Sequence, residues 1–267
     1  MDTEFTVFFA DGEDESLIAA ASAAAFARID ELELLLTRFN DTSDVAVIRG
    51  LPDGGIATVA RETMDVLVAS ARVCAATGGA FDPTVERRNF AELTLDVEHV
   101  RVGVRKGPVA LDFGGIGKGY ALDACAEILR SEQFDLHDWL LDAGSSTQVI
   151  GGGPWALGIG GRWKGRTRQE TVLRLSDGAL SGSGFEVRGE HIFDVRRGGP
   201  AVRWAQSWSW ARTGAVADAL STAALALDAR ELAAACRELA AGVWVAREQR
   251  PWLDRLRDPL TKFGRVP

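Results

Sequence analysis

Histidine, cysteine, tyrosine and methionine are scarce in this chain of 267 residues, at three, three, one and two copies. The histidines (His99, His137, His191) include no His-x-x-x-His pair, which argues against a histidine-rich metal site. Cys74, Cys125 and Cys236 are far apart, odd in number and set in apolar, helix-like surroundings. They read as buried free thiols, which suits a reducing compartment and excludes a disulfide framework and a cysteine zinc site. Positive charge is in deficit, with a net charge of −8. No basic face compensates for phosphate repulsion, so nucleic acid is not an expected partner. Long apolar runs are also missing. Residues 17–26 are too short and too rich in alanine to span a bilayer, and they follow the acidic run Glu13-Asp14-Glu15, the reverse of a signal peptide's basic start. As written, the chain carries no export signal, and a cytoplasmic location is the expectation.

What is present is ordinary globular material: 46% hydrophobic and 25% charged residues, enough for a substantial core. No linker, repeat or low-complexity tail divides the chain, so residues 1–267 are expected to form one domain. Residues 5–9 suggest a short strand. Residues 16–39 suggest an amphipathic helix, with Leu17, Ala21, Ala24, Ala25, Ile29, Leu32 and Leu36 at spacings of three and four. Residues 58–77 suggest a second helix, stopped by Gly78-Gly79. Residues 93–112 hold two or three short strands. Further strands are expected at 139–141, 147–150, 155–159, 172–175, 191–195, 207–213 and 243–246, with helices near 216–227 and 230–240. Early helices, clustered middle strands and glycine-rich connections indicate an α+β protein with antiparallel sheets rather than a βαβ succession.

The densest local signal is Asp112-Phe113-Gly114-Gly115-Ile116-Gly117-Lys118-Gly119-Tyr120. Four glycines in this run follow a strand-like segment (109–111) and precede a helix-like one (121–129). Such a turn lets a ligand approach the backbone, and the N–H groups of a helix start attract phosphate. Gly119 after Lys118 rules out a Walker A loop, and Tyr120 rules out a Rossmann fingerprint. A tight connection without a ligand is the alternative. A second constellation is Asp218, Ser221 and Thr222, at i, i+3 and i+4 on one face of a small, apolar helix. One carboxylate and two hydroxyls are hard oxygen ligands suited to Mg2+, which completes its shell with phosphate oxygens and water. A helix N-cap with a small polar face is the alternative. Trp208 and Trp210, alternating on one strand face, read as core, and a lone His191 in a strand reads as a packed residue.

Taken together, these segments resemble the ApbE family of FAD:protein FMN transferases, in order and over nearly the whole chain. Met1-Asp2-Thr3 stands for the family's Met-Gly-Thr, and Arg38-Phe39 opens a segment that runs to Arg49. Thr77 to Val85 matches a Gly-Gly-Ala-Phe-Asp-Pro-Thr motif, and Leu111 to Asp123 matches the glycine signature with two changes, Phe113 and Gly117. Asp142-Ala143-Gly144-Ser145 stands for Asn-Ala-Gly-Gly; the histidine motif starts at His191-Ile192-Phe193-Asp194, and Ala217 to Ala223 matches Ala-Asp-Ala-Leu-x-Thr-Ala.

The resemblance implies an ApbE-like, T-fold-related α+β architecture, with mostly antiparallel sheets and helices around a flavin-nucleotide cleft. It implies FAD as substrate, Mg2+ as cofactor, a Thr or Ser hydroxyl of an acceptor flavoprotein as the group modified, and AMP as product. By position it implies a metal site of Asp218, Ser221, Thr222 and Gly115, the last through its backbone. It implies nucleotide contacts at Met1, Phe39, Ala80, Phe81, Asp82, Asp112, Lys118 and Ile192. Lys118 would stabilise charge on the diphosphate, and His191 or a nearby carboxylate would accept the hydroxyl proton. Hydrolysis of FAD to FMN and AMP, or FAD binding without turnover, would use the same residues. Many relatives are exported lipoproteins, so a periplasmic or membrane-anchored form is the alternative location. Asp2, Arg49 and Val195 depart from the family pattern, which has Gly, Asn and Pro there.

Overall fold

The computed structural model describes residues 3–10, 12–84, 89–144, 146–163, 166–184, 193–194, 196, 199–200, 203–246 and 253–254. The chain begins with β1 (Thr6–Phe9) and the long α1 (Glu15–Leu36). Asp14 caps α1, its carboxylate accepting the N–H groups of Ser16 and Leu17. The helix buries Ala21, Ala25, Ile29, Leu32 and Leu36, the stripe set by its spacing. A short helix that was not expected, α2 (Asp44–Arg49), follows, and the Ser43 hydroxyl caps it. Next come β2 (Ile56–Thr58), α3 (Arg61–Ala76), β3 (Leu93–Asp96) and β4 (Arg101–Val104). Gly78 and Gly79, at φ +56° and +77°, end α3 by donating to the carbonyls of Ala75 and Cys74.

The second half supplies α4 (Gly117–Leu129), β5 (Trp139–Ala143), β6 (Thr147–Gly151), β7 (Trp155–Trp163), β8 (Arg166–Leu175) and β9 (Gly178–Gly184). It continues with β10 (Phe193–Asp194), β11 (Gly199–Pro200), β12 (Gln206–Ala211), α5 (Gly214–Ala224), α6 (Ala229–Leu239), β13 (Gly242–Ala246) and β14 (Leu253–Asp254). An open seven-stranded sheet runs β1-β5-β6-β9-β12-β13-β14; β2-β4-β3 form a small sheet, and β7-β8 and β10-β11 are two-stranded. Every pairing among the described residues is antiparallel. No described helix is long and apolar enough to cross a membrane.

Strand alternation divides the large sheet into two apolar faces. Trp139, Leu141, Ala143, Val149, Val243 and Val245 face the helices and join the main core with α1, α3, α4, α5 and α6. Leu140, Ile150, Leu180, Trp208 and Trp244 face the other way, and Leu157 and Ile159 of the β7-β8 hairpin cover them. Trp208 and Trp210 belong to this second core, as expected.

Two sequence expectations are corrected, and one strand had no counterpart among them. Residues 109–111 join no sheet: the segment is extended, buries Val109 and Leu111, and runs on to Asp112, whose N–H bonds the Pro83 carbonyl. The helix expected from residue 121 begins at Gly117, so half of the glycine run lies in its first turn. The central strand β9 carries no strong strand residues, yet its Gly-Ala-Leu-Ser-Gly-Ser-Gly backbone pairs with both β6 and β12. The expected strand at 191–195 lies largely outside the described residues, apart from β10.

Candidate active site

Small residues bring α5 down onto the sheet. Ser181 and Ser183 of β9, Ser207 and Ser209 of β12 and Thr147 of β6 point at the helix, where larger side chains would hold it away. The Ser207 and Ser209 hydroxyls donate to the Ser221 and Ala217 carbonyls of α5. Asp218, on the face turned to β9, is 2% exposed, and Ser221 is fully buried. This carboxylate lies within the helix; the capping side chain at the helix start is Thr213, which accepts the Val216 N–H.

An uncompensated carboxylate at that depth would cost several kcal/mol, and three donors answer it. The Lys118 ammonium and the Gly119 N–H lie 3.4 and 3.2 Å from Asp218 Oδ2, and the Ser181 hydroxyl lies 3.5 Å from Oδ1. Lys118 also donates to the Gly114 carbonyl at 3.1 Å, which draws the glycine run and α5 together. Ser221 and Thr222 donate back to the Asp218 carbonyl at 2.9 and 3.3 Å. Ser183 Oγ lies 2.8 Å from Ser221 Oγ and 3.4 Å from Thr222 Oγ1, and Ser181 Oγ lies 2.9 Å from Thr147 Oγ1. The result is one carboxylate among five hydroxyls. Thr147, Ser181 and Ser183 are additions that sequence reasoning missed; the signal for the two serines was the period-two Ser-Gly-Ser pattern at 181–183.

The other expected residues adjoin this centre. A Cβ built on Gly115 would meet Thr222 Oγ1 at 3.4 Å and Phe81 Cε2 at 3.5 Å, so the glycine signature, Phe81 and the α5 hydroxyls converge. Asp112 accepts the Gly114 N–H at 2.8 Å and pairs with Arg38 at 3.4 Å. The Arg38 guanidinium sits 4.8 Å from the ring centre of Phe39, which is 84% exposed and free to receive a planar ligand. Ala80 and Phe81 are buried beside the α3 C-terminus. Asp82 spends one oxygen on the N–H and hydroxyl of its neighbour Thr84, so it shapes its own loop. Met1, His191 and Ile192 lie outside the described residues.

The glycine run differs from a free phosphate cradle. The Gly114, Gly117 and Gly119 N–H groups are taken by Asp112, the Phe113 carbonyl and Asp218. Its glycines serve approach instead: a Cβ on Gly119 would overlap the Gly214 carbonyl, and a Cβ on Gly214 would overlap that of Gly119. The start of α4 therefore presents its positive end to Asp218.

The donor set fits a hard divalent cation. A buried carboxylate lies within a network of hydroxyl oxygens, and a lysine ammonium already lies against the carboxylate. Among the described residues no three His, Cys, Asp or Glu side chains gather, so oxygen atoms of hydroxyls, a substrate and water would have to complete the shell. The three thiols do not contribute: burial pushes Cys74 and Cys236 up to about 11 and Cys125 up to about 12.

A sequence model of the ApbE family matches residues 1–89 and 86–245. No curated protein matches the chain. Among solved structures, the fold is similar to a flavin transferase ApbE from Vibrio cholerae, with TM-score 0.79, 18% identity, and 95% of this chain and 93% of that one covered. It is similar to the apo flavinyl transferase ApbE of Pseudomonas stutzeri, with TM-score 0.77, 22% identity and coverage of 93% and 88%. An ApbE protein from Thermotoga maritima gives TM-score 0.78, 24% identity and coverage of 95% and 93%.

Proposed function

The chain belongs to the ApbE family, and from that premise we propose that it is an FAD:protein FMN transferase. It takes FAD as donor, Mg2+ as cofactor and a Thr or Ser hydroxyl of an acceptor flavoprotein as the group modified. The observation that carries this reading is the buried Asp218 carboxylate, paired with Lys118 and the Ser181 hydroxyl, on a helix whose Ser221 and Thr222 hydroxyls reach Ser183 and, from Thr222, the Gly115 turn. Asp218, Ser221, Thr222 and the Gly115 backbone are the residues that would hold Mg2+. Bound there, the ion supplies positive charge to the diphosphate oxygens.

The chain's own groups do the rest. Phe39, Ala80, Phe81, Asp82 and Asp112 border the region assigned to the flavin nucleotide, and the family pattern assigns Met1 and Ile192 to contacts with it. Lys118 turns its ammonium to the diphosphate and neutralises charge as it develops. The acceptor oxygen attacks the FMN phosphorus, the bond from that phosphorus to the bridging oxygen breaks, and AMP leaves with the bridging oxygen. His191 receives the proton of the attacking hydroxyl.

Asp218→Ala removes the one carboxylate of the cluster among the described residues while leaving the hydroxyls. We expect it to lower FMN transfer by roughly 100-fold or more, and a chelator to do the same to the wild type. Full transfer by Asp218→Ala in chelator would sink the reading.

A further inference from the structure

The two helices that meet at the site share a Gly-x-x-x-Asp-Ala pattern. Gly119-Tyr120-Ala121-Leu122-Asp123-Ala124 runs from the first turn of α4, and Gly214-Ala215-Val216-Ala217-Asp218-Ala219 opens α5. Gly119 and Gly214 touch backbone to backbone at the crossing, closely enough that neither has room for a Cβ. Four residues on, each helix sends its aspartate to the other's N-terminus. Asp218 of α5 accepts the Gly119 N–H of α4 at 3.2 Å. Asp123 of α4 accepts the Gly214 N–H through Oδ1 at 2.6 Å and the Ala215 N–H through Oδ2 at 2.9 Å.

Each exchange satisfies orphan first-turn donors and sets a negative group against the positive end of a helix. The exchange is reciprocal, so a slide of α5 along its axis breaks all three bonds at once. Thr213 alone would cap α5 with a single 3.4 Å bond, too weak to fix its depth. We infer that Asp123 is a positioning residue: it touches neither ligand nor metal-binding oxygen, and it sets the depth of α5 that aims Asp218, Ser221 and Thr222. The inference rests on the proposed function only for what those three residues hold. Burial pushes the Asp123 carboxyl up to about 6, so this brace stands at some cost to the fold.

The test uses the full chain, with Asp123→Ala, Asp123→Asn, and Asp14→Ala as a variant that loses a cap far from the site. Two quantities are read: Mn2+ affinity by electron paramagnetic resonance, and hydrogen exchange of the 119, 214 and 215 amides without metal. Asp123→Ala is expected to weaken Mn2+ binding about tenfold or more and to speed exchange at all three amides. Asp123→Asn, which keeps one acceptor, should fall between it and the wild type, and Asp14→Ala should change neither reading. Faster exchange at 214 and 215 with the Gly119 amide unchanged would overturn the inference, because the brace would not reach Asp218. Mn2+ affinity unchanged in Asp123→Ala would overturn it too. Failure of the wild type to bind Mn2+ would count against the proposed metal, while the Gly119 amide would still decide the inference.

Discussion

Asp142 carries a carboxylate where the ApbE pattern carries an amide. On β5 it lies opposite Gln148, its Oδ1 is buried without a hydrogen-bond partner among the described residues, and burial raises its pKa. A carboxyl whose pKa is higher folded than unfolded costs stability once the pH passes its unfolded value, and the full cost is reached above its folded value. Asp142→Asn is therefore expected to stabilise the protein by about 1 kcal/mol at pH 8, with the gain shrinking as the pH falls toward 4; urea titrations at the two pH values measure it. At this scale the sequence was informative wherever partners lie close along the chain. Asp218, Ser221 and Thr222 sit on one helix face, so their convergence follows from helical spacing alone. Asp123 was overlooked because its partners are 91 and 92 residues away, and nothing local distinguishes it from a surface aspartate.

Among the elements, helices were the most legible and the central strand the least. The α1 stripe and the glycine stop of α3 announced themselves by periodicity and by backbone requirement. Strand β9 did not, because its glycines and serines have low strand propensity and are selected by the space under α5 instead. Residues 109–111 failed in the opposite direction: an apolar run that starts with valine reads as a strand, but the Pro83 carbonyl takes the N–H of the adjoining Asp112 and no described strand pairs with it. The α4–α5 crossing is the element contact with least tolerance. Gly119→Ala and Gly214→Ala each press a methyl on a backbone carbonyl that cannot rotate away. Each is expected to cost about 3 kcal/mol, read as a lower midpoint with unchanged slope in urea unfolding. Wild-type stability in either variant would mean that the helices cross farther apart.

For the whole molecule, the α+β class and the antiparallel sheets followed from the order of early helices and clustered strands. The two-sided use of the large sheet did not, because a hairpin that folds back over the far face leaves no signature beyond alternation. The core between the sheet and the helices also takes in the thiols, Cys125 and Cys236 buried and Cys74 half-buried. With Cys125 held near 12 and Cys74 and Cys236 near 11, almost no thiolate exists at pH 8. Native protein is therefore expected to react with a thiol-specific chromogenic disulfide far more slowly than denatured protein, which should release three equivalents at once. Rapid release of any equivalent from the folded state would show a thiol in a more open setting.

The central claim joins fold and chemistry: the Asp218 centre moves FMN from FAD to a protein hydroxyl. Its most direct measurement is the intact mass of an acceptor flavoprotein after incubation with the chain, FAD and Mg2+, alongside the AMP released. The account predicts a gain of one FMN per acceptor, matched by one AMP, and neither product with Asp218→Ala. AMP accumulating with the acceptor mass unchanged, or FAD bound with no AMP at all, would contradict it.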